Sequence, residues 1–301
     1  MEEKIFRSGF ISIIGRPNVG KSTLLNCILG EKISIISEKP QTTRNKVLGI
    51  LNLPASQVIF MDTPGIHQAE SKLNRYMVRV AMATYNEVDA SIFMVEANNF
   101  IKEADKFIIK TLKKVRVPVI LVINKIDLAT KESLLPLIDS YRSLFDFHRI
   151  IPCSSLKGDG VEIVVDEIIN IIPEGPKYFP TDMITDQPER FIASEMIREK
   201  VMRLTSQEVP YSVAVWVDGF EQKQGREIII VIRATIYVER DSQKGIIIGK
   251  GGSMLKRIGK QAREDLEGIL GSRIYLELFV KVKNNWSKDN NALKNFGYEM
   301  K

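Results

Sequence analysis

The sequence predicts an α/β domain built on a mostly parallel sheet with helices on both faces, followed by a smaller α+β domain. In the first half of the chain, strand-like runs alternate with helix-like segments of about 10–15 residues, which is typical of βαβ units. A proline-rich stretch follows at residues 172–180. Beyond it the order changes to a helix, two strands, a second helix and a third strand. A length of 301 residues suffices for two domains of ordinary size.

The strands of the first domain are recognised as apolar, β-branched runs, and its helices by apolar residues at helical spacing. The run Phe10–Gly15, for example, ends at a Gly-Arg-Pro-Asn sequence that breaks the strand. In chain order we predict strand 10–15, helix 21–29, strands 46–53 and 57–62, helix 72–86, strand 90–96, helix 102–115, strand 117–124, helix 131–145, strand 149–152 and helix 161–171.

Three prolines and a glycine within residues 172–180 indicate a linker. We therefore predict a first domain at 1–172, a linker at 173–180 and a second domain at 181–301. For the second domain we predict helix 189–204, strands 212–220 and 227–239 with Gly225 in the turn between them, a glycine-rich turn at 249–252 opening a helix through about residue 267, strand 273–283 and a short polar helix at the end. The alternating apolar residues of 212–217 and 228–236 are assigned to its core.

The composition excludes several classes of protein. The apolar fraction of 44% and the charged fraction of 27% are ordinary for globular proteins. No apolar run reaches the about 20 residues that span a bilayer. The acidic start Met1–Lys4 does not resemble a secretory signal, so we expect a cytoplasmic protein. Cys27 and Cys153 are too few for a disulfide framework or a cysteine zinc site, and we interpret both as buried thiols.

The segment Gly15–Ser22 matches the pattern G-x-x-x-x-G-K-[ST] between a predicted strand and a predicted helix. Glycines allow the backbone to wrap closely around phosphates, and successive N–H groups at the helix N-terminus face the negative charge. We expect Lys21 to reach the β- and γ-phosphates and Ser22 to bind Mg²⁺. The predicted phosphate-binding residues are Gly15, Arg16, Pro17, Asn18, Val19, Gly20, Lys21, Ser22 and Thr23.

Asn124-Lys125-Ile126-Asp127 follows an apolar strand about 100 residues after this loop, at the edge where open α/β sheets bind ligands. The Asp127 carboxylate can accept hydrogen bonds from both the N1–H and the 2-amino group of guanine, whereas adenine lacks this pair of donors. Asn124 and Lys125 would frame the base. The motif therefore predicts a guanine nucleotide.

A third motif, Asp62-Thr63-Pro64-Gly65, follows the apolar run Val58–Met61. An aspartate at the end of such a strand fits the residue that holds Mg²⁺ directly or through water, and the Gly65 N–H would meet the γ-phosphate. These three motifs together predict a P-loop GTPase domain.

Gly249-Lys250-Gly251-Gly252 lies within a basic stretch, because six basic residues and no acidic one occur from Lys244 to Arg263. This excess of positive charge indicates an anionic partner. The sequence resembles the Gly-x-x-Gly loop of KH domains, which clamps about four nucleotides of single-stranded RNA. The element order suits the type II KH arrangement. The predicted RNA-binding residues are Ile248, Gly249, Lys250, Gly251, Gly252, Lys256, Arg257 and Lys260.

Over essentially its whole length the chain resembles the Era family, within the translation-factor-related class of small GTPases. The phosphate loop, Pro40-Gln41-Thr42-Thr43-Arg44, the two further nucleotide motifs and the glycine loop carry this resemblance. It implies that a switch threonine, Thr42 or Thr43 with Thr43 preferred, contacts Mg²⁺. It also implies that Ser154 and the Ser155 N–H border the guanine. The residues that would act in hydrolysis are Lys21, Asn18, Thr43 and Gly65; those that would hold Mg²⁺ are Ser22, Thr43 and Asp62.

Ile66 occupies the position at which Ras-like enzymes place the glutamine that orients the attacking water. An isoleucine cannot hydrogen-bond that water, so intrinsic hydrolysis should be slow or depend on help from elsewhere. The resemblance implies that Asn18 helps to bind K⁺ beside the phosphates, where the ion supplies positive charge. We interpret His67 as a solvent-facing residue of a switch-like loop.

We interpret the chain as a monomeric switch in which GTP orders residues 41–44 and the loop after Gly65, and hydrolysis releases them. The resemblance implies that the RNA partner is 16S ribosomal RNA near its 3′ end, during maturation of the 30S subunit. Other interpretations remain open. One is an RNA-binding assembly factor with vestigial hydrolysis. Others are a GTPase that acts on tRNA, or one at the inner face of the cell membrane, because the basic surface would also attract anionic lipids.

Overall fold

The computed structural model describes residues 5–39, 42–66, 72–83, 87–98, 100–114, 116–206, 209–224 and 228–298. They divide into two compact units. Unit 1 consists of described residues within 1–34, 43–69 and 77–186, and unit 2 of those within 35–42, 70–76 and 187–301. The predicted residues Gln41, His67 and Gly225 lie outside the described part of the chain.

Unit 1 contains a six-stranded sheet with the strand order β2-β3-β1-β4-β5-β6. All neighbouring strands are parallel except β2 and β3, which are antiparallel, so the mostly parallel sheet is confirmed. Its elements are β1 (Arg7–Gly15), α1 (Lys21–Leu29), β2 (Val47–Leu53), β3 (Ser56–Asp62), α2 (Lys72–Ala83), β4 (Ala90–Glu96), α3 (Glu103–Leu112), β5 (Val119–Asn124), α4 (Lys131–Arg142), β6 (Arg149–Pro152) and α5 (Val161–Ile171).

Both faces of this sheet are covered, which explains why its strands are almost continuously apolar. On one face, side chains of β4 and β5 such as Phe93 and Leu121 pack with residues of α2, α3 and α4. The alternate residues Ile92 and Val122, which point to the opposite face, are also fully buried. Because β1, β3 and β5 run in the same direction, their carboxyl ends lie at one edge of the sheet, where the three nucleotide motifs follow them.

The segment predicted as a linker is hydrogen-bonded to unit 1. The Ser8 N–H donates to the carbonyl of Pro173 at 3.1 Å. The buried side chain of Gln57 accepts from the N–H of Tyr178 at 2.8 Å and of Phe179 at 3.0 Å, and donates to the Phe179 carbonyl at 2.9 Å. Residues 173–180 thus follow the strands of unit 1 as an ordered segment. The domain boundaries themselves remain a prediction.

Unit 2 contains the predicted three-stranded sheet, with the order β7-β8-β9. β7 and β8 are antiparallel with an irregularity between Val217 and Gly219, and β8 and β9 are parallel. Its elements are α6 (Glu189–Leu204), β7 (Ala214–Lys223), β8 (Ile229–Val238), α7 (Asp241–Ile248), α8 (Ser253–Leu270), β9 (Arg273–Val282) and α9 (Asn290–Asn295). This order and topology confirm the KH-like α+β domain.

The inner face of this sheet packs on α6 and α8. Alternate residues of β7 and β8, among them Val215, Val217, Ile232 and Ile236, are buried there as predicted. From α8, Ile258, Ala262 and Leu266 recur at intervals of four and face the same core. The opposite helix face is exposed and carries basic residues.

One helix was not predicted and one sequence expectation is corrected. The unassigned run before the glycine loop belongs to α7, although three consecutive isoleucines favour a strand; the Gln243 side chain accepts from the N–H groups of Glu239 and Arg240 and starts the helix there. Cys27 is exposed, whereas Cys153 is buried and burial raises its thiol pKa to about 11. Among the described residues, no helix combines the length and apolar character of a bilayer-spanning segment.

Candidate functional site

The phosphate loop connects β1 to α1 in a conformation that suits its residues. Asn18 (φ 66°) and Gly20 (φ 106°) adopt left-handed backbone angles. A Cβ at Gly20 would lie 2.2 Å from Nδ2 of Asn124, so a side chain is excluded there. Lys21 is buried, and its Nζ donates to the Arg16 carbonyl at 3.0 Å and to the Gly15 carbonyl at 3.4 Å. The ammonium group therefore lies within the curve of the loop.

Burial lowers the Lys21 pKa to about 8, and the nearby Asp62 carboxylate opposes this shift. The side chain of Arg16 is directed away from the loop, because its Nε donates to the buried Asp105 at 2.7 Å. Tyr141 donates to the other oxygen of the same carboxylate. The contribution of Arg16 to a phosphate site is thus limited to its backbone.

Ser22, Thr43 and Asp62, the three predicted metal ligands, lie together. The Ser22 hydroxyl donates to Asp62 Oδ2 at 2.6 Å and lies 3.0 Å from Thr43 Oγ1. Asp62 is fully buried, and its Oδ1 has no hydrogen-bond partner among the described residues. Burial raises the Asp62 pKa, while the charge of Lys21 and the hydrogen bond from Ser22 lower it.

These oxygen ligands fit a hard divalent cation such as Mg²⁺. The orphaned Oδ1 supplies a buried anionic ligand, and two hydroxyl oxygens lie beside the carboxylate. In the described part of the chain, no cluster of three or more His, Cys, Asp or Glu forms a metal cage. An ion here would complete its shell with water and phosphate oxygens, as Mg²⁺ does in phosphate-binding proteins.

Thr42 and Thr43, between which spacing alone did not decide, have different surroundings in the structure. The Thr42 hydroxyl donates to the Lys39 carbonyl at 2.7 Å, and the Thr42 carbonyl accepts from the buried guanidinium of Arg198. The Thr43 hydroxyl is the one beside Ser22. Thr63 also differs from the expectation for a ligand-facing residue, since its buried hydroxyl donates to the Ile13 carbonyl at 2.9 Å.

Gly65 lies against the phosphate loop so closely that a Cβ would be 2.5 Å from the backbone nitrogen of Pro17. The next N–H, of Ile66, donates to the Gly15 carbonyl at 3.2 Å. The Ile66 side chain is buried with β4, β5 and α3. It is directed into the core, away from the edge that carries the nucleotide motifs.

Asn124 joins the guanine motif to two other loops. Its Nδ2 donates to the Val19 carbonyl at 2.7 Å, and its Oδ1 accepts from the N–H and the hydroxyl of Ser155, both at 2.9 Å. The Ser155 N–H, which the resemblance assigns to guanine O6, is thus used within the protein in this structure. Asn124 therefore fixes the loop after β6 relative to the phosphate loop.

Asp127 lies at the surface, where a base could reach it. Its Oδ1 accepts from the Ser154 hydroxyl at 2.6 Å, and this hydrogen bond lowers the Asp127 pKa. The carboxylate is therefore ionised near neutral pH and has acceptor capacity left for a ligand. Lys125 has a left-handed backbone (φ 65°) and forms an ion pair with Glu96, a partner that sequence reasoning missed.

In unit 2, a cleft of about 560 Å³ lies between α8 and β9 and ends at the glycine loop. Its basic wall consists of Lys256, Lys260 and Arg263, which recur at intervals of four and three along the exposed face of α8. Its floor is mainly apolar and includes Leu255, Gly259, Ile274, Leu276 and Leu278; Gly252 and Tyr275 complete the lining. Because β9 is an edge strand, its unpaired backbone groups border the cleft.

The backbone conformation of the glycine loop, residues 249–252, requires glycine at three of its positions. Gly249, Gly251 and Gly252 all have positive φ (72°, 58° and 78°), and a Cβ at Gly249 would lie 2.8 Å from the Met254 side chain. Lys250 is exposed on the loop. Arg257 is exposed on α8 but does not line the cleft, and neither does Ile248, the last residue of α7. Sequence reasoning missed Arg263 and the β9 residues as part of this surface. Helical spacing from Lys256 and Lys260 could have identified Arg263, and alternation along β9 could have identified the strand residues.

Comparisons with known proteins match both parts of the chain. A family model described as 50S ribosome-binding GTPase matches residues 10–125, and one described as KH domain matches residues 208–287. The GTPase Era of Geotalea uraniireducens is 57% identical over 299 residues, 99% of this chain and 100% of that protein. The GTPase Era of Geobacter metallireducens is 55% identical over 298 residues, again 99% of this chain and 100% of the relative.

Two solved structures match with TM-scores of 0.94 at 44% identity, and each covers 98% of this chain and 100% of the matched chain. One is Era in complex with MgGDPNP and nucleotides 1506–1542 of 16S ribosomal RNA. The other is Era of Aquifex aeolicus bound to GDP and AlF₄⁻. The similarity extends over both units.

Proposed function

The chain belongs to the Era family of GTPases. We propose that its cycle of GTP binding and hydrolysis controls its binding to 16S ribosomal RNA near the 3′ end, during assembly of the 30S subunit. The observation in the chain that carries the proposal is the basic cleft between α8 and β9, bordered by a glycine loop, in a protein with a GTPase site. The solved relative that holds nucleotides 1506–1542 supports this choice of RNA.

The arrangement of the loops supports the nucleotide roles that we propose. Lys21 would neutralise the β- and γ-phosphates from inside the phosphate loop, and the Gly65 N–H would meet the γ-phosphate. Ser22, Thr43 and Asp62 would hold Mg²⁺, which when bound neutralises charge on the phosphate oxygens. Asp127 would accept from the guanine edge, while Asn124 keeps the surrounding loops in place.

We propose that intrinsic hydrolysis is slow, because the buried Ile66 cannot orient the attacking water. K⁺ beside Asn18 would supply the missing positive charge. The test is turnover in potassium against sodium buffer for the protein and for Asn18→Gly, which removes the side chain but tolerates the positive φ. A potassium effect that persists in Asn18→Gly would contradict this role.

For RNA, the cleft offers two kinds of contact. Lys256, Lys260 and Arg263 line one wall and would neutralise phosphates, and the apolar residues and backbone edge of β9 would face the bases. Lys250, Arg257 and the glycine loop would hold the sugar-phosphate backbone as it enters. We propose that the protein acts as a monomer in the cytoplasm.

The deciding experiment measures the affinity for an RNA of the 1506–1542 sequence, with GDPNP and with GDP. We expect tighter binding with GDPNP, and no difference between nucleotides in Lys21→Ala. Lys256→Ala should weaken binding with both nucleotides and lower the salt slope by about one, whereas Lys113→Ala, which removes an exposed lysine of unit 1, should change neither.

Other outcomes separate the alternatives. Equal RNA affinity with both nucleotides would favour an assembly factor whose hydrolysis is vestigial. Tighter binding to tRNA than to the 16S segment would favour a tRNA-directed GTPase. Binding to vesicles of anionic lipid that is lost in Lys256→Ala would favour a membrane-surface role.

A further inference from the structure

The outer face of the three-stranded sheet carries a row of exposed aromatic side chains. Along β9, Tyr275 and Phe279 alternate with the inward residues Ile274, Leu276 and Leu278 and therefore point to the opposite face. Phe279 pairs in register with Thr235 of β8, and Thr235 pairs with Trp216 of β7. Tyr275, Phe279 and Trp216 thus share the face that α6 and α8 leave uncovered. We call these three residues the aromatic row.

These three rings are about half exposed. Tyr275 is 56% exposed, Phe279 52% and Trp216 45%, whereas the second tryptophan of the chain, Trp286, is 0% exposed. Between the rings, Thr235 is 1% exposed and does not project above them. Exposed aromatic residues gathered on one face of an otherwise well-packed domain mark a binding surface.

The charges on this face determine what kind of partner it suits. Arg233 pairs with Glu221 at 3.2 Å and with Glu277 at 3.1 Å, and Asp218 accepts from the Thr235 hydroxyl at 2.7 Å. The carboxylates are therefore engaged within the face, and the polar groups separate one ring from the next. The core of a protein–protein interface is depleted of charge, so this pattern does not suit one. Separate aromatic rings are platforms on which single-stranded bases stack. Arg273 and Lys281, exposed residues that share the outer side of β9 with the rings by alternation, add positive charge to this face.

The aromatic row is also continuous with the cleft, because Tyr275 both lines the cleft and begins the row. A KH-type groove takes about four nucleotides, so a longer RNA must leave it at one end. We infer that the nucleotides leaving the cleft cross the edge strand β9 and stack their bases on Tyr275, Phe279 and Trp216. This inference rests on the proposed RNA-binding function and extends its site to a second face of the sheet.

The dimensions are compatible with one base per ring. Two strand spacings separate Trp216 from Phe279, about 10 Å, and four residues separate Phe279 from Tyr275 along β9, about 13 Å. Neighbouring rings are too far apart to hold a single base between them. Stacking on separate rings tolerates any base, so the row would add affinity rather than sequence preference.

The test uses the full chain and a single-stranded RNA of about 12 nucleotides from the 3′ end of 16S rRNA, a length within the range bound by single-strand modules. RNA should quench tryptophan fluorescence, since Trp216 is exposed and Trp286 is buried. Phe279→Ala and Trp216→Ala should each weaken binding about 5- to 150-fold. Phe279→Leu should weaken it comparably, because it keeps apolar area but removes the ring. Trp216→Phe should keep the affinity and lose the quenching.

An RNA of about four nucleotides, which fills the cleft alone, should bind the wild type and Phe279→Ala equally. If Lys256→Ala weakens binding of the longer RNA but Phe279→Ala does not, the stacking inference is wrong and the proposed RNA function stands. If neither RNA binds the wild type, both the stacking inference and the proposed RNA function are wrong. Quenching that appears on raising the protein concentration without RNA would assign the row to a second copy of the chain and overturn the inference.

Discussion

Replacing Asn124 by alanine tests the bridge that connects the loops of the nucleotide site. The side chain is 2% exposed and makes three hydrogen bonds, one to the Val19 carbonyl and two from Ser155. Removing the Asn124 side chain leaves the buried carbonyl of Val19 and the buried N–H of Ser155 without this hydrogen-bond partner. Each unsatisfied buried group costs about 1–3 kcal/mol, so Asn124→Ala should destabilise unit 1 by about 2–6 kcal/mol.

Ser155→Ala is the matched control, because it removes only the hydroxyl partner and keeps the backbone N–H. One neutral hydrogen bond contributes about 0.5–1.5 kcal/mol. The Ser155 hydroxyl is already close to the Cys153 sulfur, at 3.9 Å, so little further rearrangement is expected. Ser155→Ala should therefore reduce the unfolding free energy by no more than about 1.5 kcal/mol.

Urea unfolding with two probes locates the effect. Both tryptophans, Trp216 and Trp286, belong to unit 2, whereas far-ultraviolet circular dichroism reports on both units. Asn124→Ala should shift the dichroism transition of nucleotide-free protein to lower urea and leave the tryptophan transition in place. A shift no larger than that of Ser155→Ala would refute the bridging role of Asn124.

Three further predictions concern single residues of unit 1. Gly65→Ala should abolish GTP binding, measured with a fluorescent GTP analogue, because its Cβ would lie 2.5 Å from the Pro17 backbone; retained binding would contradict the close approach. Thr43→Val should raise the Mg²⁺ concentration needed for GTP binding, whereas Thr42→Val should not, since only the Thr43 hydroxyl lies beside Ser22; equal effects would refute the assignment. Although burial alone would raise the pKa of Glu96, the hydrogen bond and charge of Lys125 lower it to about 2. Because this folded-state pKa lies below the unfolded value, Glu96 stabilises the fold above about pH 5 and loses this effect as the pH falls towards 2. In Glu96→Gln, the free energy of unfolding should therefore fall less steeply between about pH 5 and pH 2 than in the wild type. An unchanged pH dependence in this range would contradict the pairing with Lys125.

Local patterns were sufficient for much of the fold. The helix Lys21–Leu29 and the strands Ala90–Glu96 and Arg149–Pro152 have the predicted bounds, because a glycine-rich motif or a sharp change of polarity ends each of them. The helix Asp241–Ile248 was missed, because its start depends on backbone N–H groups that donate to the Gln243 side chain, and this capping opposes the strand preference of three isoleucines.

In the nucleotide site, too, some features follow local sequence patterns and others depend on contacts between residues distant in sequence. The motifs predicted roles for Lys21, Asp62 and Asn124 from fixed spacing, and the structure places Lys21 and Asn124 at the phosphate loop and Asp62 beside Ser22. The choice between Thr42 and Thr43 depends on contacts distant in sequence, such as the bond from Arg198 to the Thr42 carbonyl across 156 positions. No local pattern contains this information.

The pairing of Lys125 with Glu96 was also outside the reach of spacing, because it joins the ends of two adjacent strands through side chains alone. Similarly, the aromatic row becomes visible only when the register of β7, β8 and β9 is known.

The most direct test of the proposed switch is GTP turnover by the full chain with and without the 1506–1542 RNA, in potassium buffer. Coupling predicts that the RNA raises turnover, that Lys21→Ala abolishes turnover, and that Lys256→Ala reduces the stimulation without changing the basal rate. RNA that binds and leaves turnover unchanged would contradict the coupling and leave two sites that act independently.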